Sequence, residues 1–137
     1  MKTGEGPAFP LADVHEAARR RRVSIGGPSF KADLIPHLGG YVRMTEFSEA
    51  VLLELRDGDF MRRRTYEGVT HDSYGVSISS STQEAFAIQG LETWYVKFTM
   101  DRDDDGGLVL MASLHKPDEP LRRVGGTLPI RFTRRRS

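Results

Sequence analysis

The chain has 137 residues, 38% apolar and 28% charged, with a formal net charge of +1. That is the size and balance of one folded domain, and it excludes wholesale disorder. The absence of cysteine excludes disulfide frameworks, cysteine-ligated zinc, iron–sulfur clusters and thiol nucleophiles.

Residues 1–9 read as a flexible leader. From Pro10 the pattern turns helical, with Leu11, Val14, His15 and Ala18 on one face. Pro10 and Asp13 suit the start of a helix and Arg19–Arg22 its end; His15 is expected to pack in the core. Val23-Ser24-Ile25 is a short extended piece, stopped by Gly26-Gly27-Pro28. Ser29 is a candidate cap for a short helix through Ile35, which Pro36 terminates. After the Gly39-Gly40 loop, Thr45 is the expected N-cap of a helix over 46–56, with Phe47, Val51 and Leu55 inward and Asp57-Gly58 ending it. Strands follow near 59–66, 73–80, 93–100 and 108–115, with a weaker one near 121–132. The fold class is α+β, with N-terminal helices packed on a twisted antiparallel sheet. The tail, 131–137, is expected to be mobile.

The third and fourth strands form a hairpin around the loop 101–107. Placing Met100 opposite Leu108 sets Lys97 against Met111, Tyr95 against Ser113 and Thr93 against His115. Side chains alternate with period two. Tyr95, Lys97, Ser113 and His115 therefore share one face, opposite the core face of Trp94, Phe98 and Leu110.

Sixteen of the 20 basic residues are arginine, and the signs are segregated. Arg19–Arg22 with Lys31, Arg62–Arg64, and the six arginines of 121–137 are basic blocks; 44–59 and 101–105 are acidic. Arginine suits planar phosphate contacts and stacking. The pattern points to a polyanion, nucleic acid before membrane surface, although solvated patches produce it too. Asp101-x-Asp103-x-Asp105-Gly106 imitates the start of an EF-hand loop, but Ala112 stands where the bidentate glutamate belongs. It reads as an acidic turn with weak adventitious cation binding at most, so neither a metal site nor a cofactor is expected. P-loop, GxGxxG, GxSxG and zincin patterns are missing.

No apolar run approaches the roughly 20 residues of a membrane span. Residues 1–10 lack the apolar stretch of a secretory signal. A cytoplasmic protein without membrane contact is expected.

Val51-Leu52-Leu53-Glu54-Leu55 followed by Asp59-Phe60-Met61-Arg62 resembles the helix-then-DFYK segment of the MqsR family of toxins. Leu11–Val23 resembles that family's first helix. Trp94-Tyr95-Val96-Lys97-Phe98-Thr99 with Leu108-Val109-Leu110 resembles its Y-x-K hairpin and closing strand. The likeness covers about residues 10–116, leaving 117–137 as a basic extension. It implies a RelE-like fold and a type II toxin that cleaves mRNA. It also implies a cognate antitoxin as protein partner, with operator DNA bound by the pair. Tyr95 keeps the family's tyrosine. Arg62 replaces the lysine after D-F-x, Tyr74 stands at the glutamine of W-Q-D, and His115 takes the catalytic lysine position with Lys116 beside it.

A metal-independent ribonuclease needs a base for the ribose 2′-OH, a cation for the phosphorane and an acid for the leaving 5′ oxygen. Arg62, Lys97, His115 and Lys116 are the candidate catalytic residues; Arg64, Tyr74, Tyr95 and His71 are candidates for binding RNA. A strand alternates faces, so at most two of Arg62–Arg64 can point at one ligand; the resemblance, which places the functional residue at Arg62, favours Arg62 and Arg64. His71 is expected in a loop. Blander readings stay open: His115 as an exposed strand-end histidine, Lys97 as a solvated strand residue. The alternative is a non-catalytic RNA- or protein-binding module of the same fold. A DNA-binding module lacks a helix-turn-helix signature and ranks below both.

Overall fold

The computed structural model describes residues 6–26 and 38–130; the helix expected over 29–35 and the tail at 131–137 lie outside them. Among the described residues there are three α-helices and five strands: α1 (Leu11–Arg19), β1 (Val23–Ile25), α2 (Tyr41–Glu54), β2 (Phe60–Tyr66), β3 (Val69–Ser77), α3 (Ser80–Ala85), β4 (Thr93–Arg102) and β5 (Leu108–His115). The class is α+β. The sheet order is β1-β5-β4-β3-β2.

The antiparallel sheet of the sequence reading needs one correction. β2 to β5 are antiparallel neighbours, but β1 joins β5 in parallel, pairing Val23 with Leu110 and Ile25 with Ala112. The sheet is therefore mixed. A three-residue strand carries no local mark of its direction; the path back from α1 decides it.

The core lies between α1 and α2 and one face of the sheet. Val14, Ala17 and Ala18 of α1 and Met44, Phe47, Val51 and Leu52 of α2 are buried. They meet Trp94, Val96, Phe98, Leu110 and Leu114 from the sheet, all at 0% exposure. Phe47 sets its ring edge-on to Trp94 at 5.2 Å and to Phe86 at 5.3 Å. The Trp94 indole donates to the Leu91 carbonyl at 2.9 Å, which satisfies its polar edge. His15 is half-buried, its Nε2 3.1 Å from the Leu55 carbonyl.

Helix α2 starts earlier than expected. Gly40 occupies its N-cap position, and Thr45 sits inside, donating its hydroxyl to the Tyr41 carbonyl at 2.9 Å. Burial of Met44 favours the extra N-terminal turn over a cap at Thr45. The expected strand at 73–80 runs instead over Val69–Ser77, because Glu67 and Gly68, both with positive φ (51° and 81°), make a two-residue hairpin turn. The chain then enters α3. Ser79 caps it by accepting the Thr82 N–H at 3.2 Å, and the Glu54 carboxylate accepts the Ser79 N–H at 2.8 Å.

The hairpin register differs by two residues from the expected one. Met100 faces Leu110, Lys97 faces Ser113 and Tyr95 faces His115. Strand β4 runs on to Arg102, leaving 103–107 as the turn, where one Asp103 oxygen accepts the Asp105 and Gly107 N–H groups at 3.0 and 2.8 Å. A two-residue slip preserves parity, so the division into faces stands. Arg22 pairs with the other oxygen of Asp103.

Both ends of the described chain pack against the sheet. Residues 6–9, expected within a flexible leader, are pinned: the Ala8 and Phe9 N–H groups each donate to the Asp72 carboxylate at 3.0 Å. Arg63 donates twice to the Gly6 carbonyl, at 2.8 and 3.1 Å. Burial pushes the Asp72 carboxyl above the usual carboxylate range, and the two N–H donors pull the other way. Of the weak strand expected at 121–132, the described part holds only a Leu121–Leu128 bridge, within a strap that crosses the other face. Among the described residues no helix is long and apolar enough to cross a membrane.

Candidate functional site

The helix-free face of the sheet collects the polar residues. The registers lay out a row of Arg62, Ser73, Lys97 and Ser113 across β2 to β5. Arg64 faces His71 on one side of this row, and Gly75, Tyr95 and His115 line up on the other. Adjacent strands lie about 4.8 Å apart, so neighbours in a row can touch one ligand together.

A β-bulge decides which arginines belong to this face. Phe60 pairs with Tyr74, but Arg62 pairs with Ser73, so Met61 is an extra residue on β2. In a regular strand Phe60 and Arg62 would share a face. The bulge reverses parity between them. Phe60 turns into the core at 4% exposure, while Arg62 and Arg64 join Ser73 and His71 on the polar face. Arg63 goes to the opposite side and its bond with Gly6. Arg62 and Arg64 thus share the polar face and Arg63 does not, with the bulge supplying the phase.

Tyr95 stands at the middle. Its hydroxyl is 2.9 Å from the Ser73 hydroxyl, and its ring lies 6.3 Å from that of His115, tilted by 35°. Ser73 is 3% exposed, so this contact fixes where the phenol ends. Two clefts meet at Tyr95. One, of about 250 Å³, is lined by Arg62, Arg64, Tyr66, His71, Tyr95 and Lys97, with Ser73 at its floor. The other, of about 430 Å³, runs from Arg62, Tyr95 and His115 to Lys116 and the strap. A third hollow beside β5 joins His71 and Lys97 to His115.

His71 lies on β3, not in a loop. Partial burial lowers its pKa below the usual histidine value, helped by the Lys97 ammonium; a hydrogen bond to the Val69 backbone and the Asp72 charge act against this. The imidazole is thereby held neutral near pH 7, the form that accepts a proton.

Arg62, Arg64, His71, Tyr95, Lys97, His115 and Lys116 are thus gathered on one face. Tyr74 is not. It lies at 0% exposure on the core side of β3, stacked on Phe98 at 5.6 Å and edge-on to Phe60 at 5.5 Å. Such a ring offers no surface for stacking on a base, and the expected RNA contact at Tyr74 is withdrawn. The alternation of β3 puts Gly75 on the polar face instead, and Leu121 covers it. Sequence reasoning also missed Ser73, Tyr66 and the strap residue Arg122. Ser73 follows from His71 by period two once β3 is known to start at Val69; the placement of Arg122 had no local signal.

Among the described residues no group of three or more His, Cys, Asp or Glu converges as for a metal ion. Chemically the face offers cations for a phosphate, imidazoles for proton transfer and a phenol for stacking or hydrogen bonding. No protein-family model matches the chain, and no curated protein proved similar to it.

Proposed function

We propose that the protein is a metal-independent endoribonuclease acting on mRNA, the toxin of a type II toxin–antitoxin pair. The observation that carries this reading is the shared polar face, where Arg62, Lys97, His71, Tyr95 and His115 border contiguous clefts. The resemblance to the MqsR family supports it from the sequence side and brings the RelE-like fold and the cognate antitoxin with it. The toxin–antitoxin pair would bind operator DNA.

In this reading the RNA lies along the face with its scissile phosphate over Arg62 and Lys97. Their charge stabilises the phosphorane as negative charge builds on its oxygens. A neutral imidazole takes the 2′-OH proton, and the oxygen attacks the adjacent phosphorus. The P–O5′ bond breaks, leaving a 2′,3′-cyclic phosphate and a 5′-OH. His71, held neutral beside Lys97, suits the base. His115, with Lys116 next to it, suits the acid that protonates the leaving oxygen. Tyr95 stacks on a base or orients the phosphate through its hydroxyl.

The test is a defined long RNA incubated with pure protein in EDTA, beside Lys97→Ala, His71→Ala and His115→Ala. Discrete cuts with 2′,3′-cyclic ends, reduced at least ~100-fold in the variants, are expected. RNA that stays intact but bound, with ribosomes also supplied, would replace this reading by a non-catalytic RNA-binding module. RNA neither cut nor bound would leave a protein-binding module.

A further inference from the structure

We propose that residues 117–128 build a second nucleotide subsite beside the groove, with Arg122 as its phosphate contact. The inference rests on the RNA-binding part of the reading above, not on cleavage. The segment is a fixed wall. Leu121 and Leu128 exchange backbone hydrogen bonds at 2.9 and 2.7 Å, and the Val124 and Gly125 N–H groups donate to the Phe60 and Gly58 carbonyls, both at 2.8 Å. Arg123 donates to Asp59 at 2.7 Å and to the Gly75 carbonyl at 3.3 Å. The Thr93 hydroxyl donates to the Pro129 carbonyl at 3.1 Å. Leu121 sits over Gly75 so closely that a Cβ there would lie 2.9 Å from its Cδ1. The sheet keeps a bare backbone at Gly75, where Leu121 of the strap lies over it.

The open cleft between strap and sheet is about 430 Å³, within the range of small-molecule sites. Its walls are of three kinds. Met61, Leu121 and the two prolines at 117 and 120 are apolar, and Tyr95 adds an aromatic ring. Arg62 of β2 and Arg122 of the strap both line it, with His115 and Lys116 between them in the chain. Asp118 and Glu119 complete the lining. Carboxylates weigh against a dense run of phosphates but accept the N–H edges of a base. An apolar and aromatic bed, an arginine on the strap and acceptors beside it match one base with one phosphate. Because Arg62 and Tyr95 line both clefts, a strand held in the groove passes directly into this one. The extension therefore lengthens the RNA footprint.

The test is fluorescence anisotropy with labelled, non-cleavable 2′-O-methyl oligonucleotides, a dinucleotide and a hexanucleotide, across a salt series. The variants are Arg122→Ala and, as a charge-matched control, Arg102→Ala, an exposed residue at the end of β4 that lines neither cleft. Arg122→Ala is expected to bind the hexanucleotide several-fold more weakly and to lower its slope of log affinity against log salt by about 0.7, one phosphate contact. The dinucleotide, filling the groove alone, should be unaffected, and Arg102→Ala should change neither. The proposal is overturned if Arg122→Ala and Arg102→Ala behave alike, if the dinucleotide loses as much as the hexanucleotide, or if the wild-type protein binds neither. Cleavage in EDTA with an indifferent Arg122→Ala would sink the subsite and keep the ribonuclease. Length-dependent binding lost in Arg122→Ala, without cleavage, would do the reverse.

Discussion

Replacing Tyr74 by phenylalanine should stabilise the protein and leave RNA handling alone. The Tyr74 hydroxyl is buried, with no hydrogen-bond partner among the described residues. Desolvation, with lesser contributions from Asp72, Asp57 and Asp59, pushes its pKa well above the usual tyrosine value. The ring is well placed, stacked within 17° of parallel on Phe98 and edge-on to Phe60. Phenylalanine keeps that ring and loses only the oxygen. An unsatisfied buried polar group costs about 1–3 kcal/mol, so a gain of about 1–2 kcal/mol is expected after allowing for a small void. For a chain of this length that is a rise in Tm of about 3–8 °C and in the urea midpoint of about 0.5–1 M with an unchanged m-value. The ring itself contributes more: Tyr74→Ala should cost about 3–5 kcal/mol. Equilibrium urea unfolding followed by circular dichroism measures both, and oligonucleotide anisotropy measures the other half of the claim. A base-stacking residue would lose about 1–3 kcal/mol of binding on removal of its ring, whereas Tyr74→Phe and, under conditions where it stays folded, Tyr74→Ala should bind as the wild type does. A lower urea midpoint for Tyr74→Phe would refute the orphaned hydroxyl and indicate a buried water as its partner. Lost RNA binding at full stability would refute the assignment of Tyr74 to the core.

Three further outcomes follow from the same contacts. Gly75→Ala should destabilise by about 1–3 kcal/mol in urea unfolding, because its Cβ would meet Leu121 at 2.9 and 3.0 Å and the Arg123 Cδ at 3.3 Å; faster proteolysis within 117–130 would show that the strap, not the sheet, gives way. Arg123→Ala should cost about 2–3 kcal/mol, since it leaves the Asp59 carboxylate, whose pKa burial already raises, without its guanidinium partner; Asp59→Asn in the same background should recover part of that loss. His71 binds its proton less readily in the folded chain than in the unfolded one, so between the two pKa values the unfolded state holds the extra proton. Its contribution to stability is therefore present above the ordinary histidine range and is lost as pH falls through the lower folded value. The fall in urea midpoint between about pH 7.5 and pH 5 should be smaller in His71→Gln, and a bound oligonucleotide should raise the His71 pKa in an NMR titration.

What the sequence determined by itself was local. Period-two alternation in 94–100 and 108–114 sorted the side chains of β4 and β5 onto two faces, and that sorting survived a register error of two residues because parity repeats every two. The 3.6-residue pattern located α1 and the buried stripe of α2. Tertiary structure decided the remainder. Only packing shows that β1 runs parallel to β5, that Met44 favours starting α2 at Tyr41, and that Ser79 turns the chain into α3. The bulge at Met61 shows why. Phe60 and Arg62 are two apart, and alternation alone assigns them one face. The gain from burying Phe60 against Tyr74, and the cost of burying Arg62 with it, select the irregular backbone that separates them. The side of β3 that takes Tyr74 is likewise settled by its packing on Phe60 and Phe98, and the strap laid over Gly75 by contacts between segments about 50 residues apart, for which no local pattern exists.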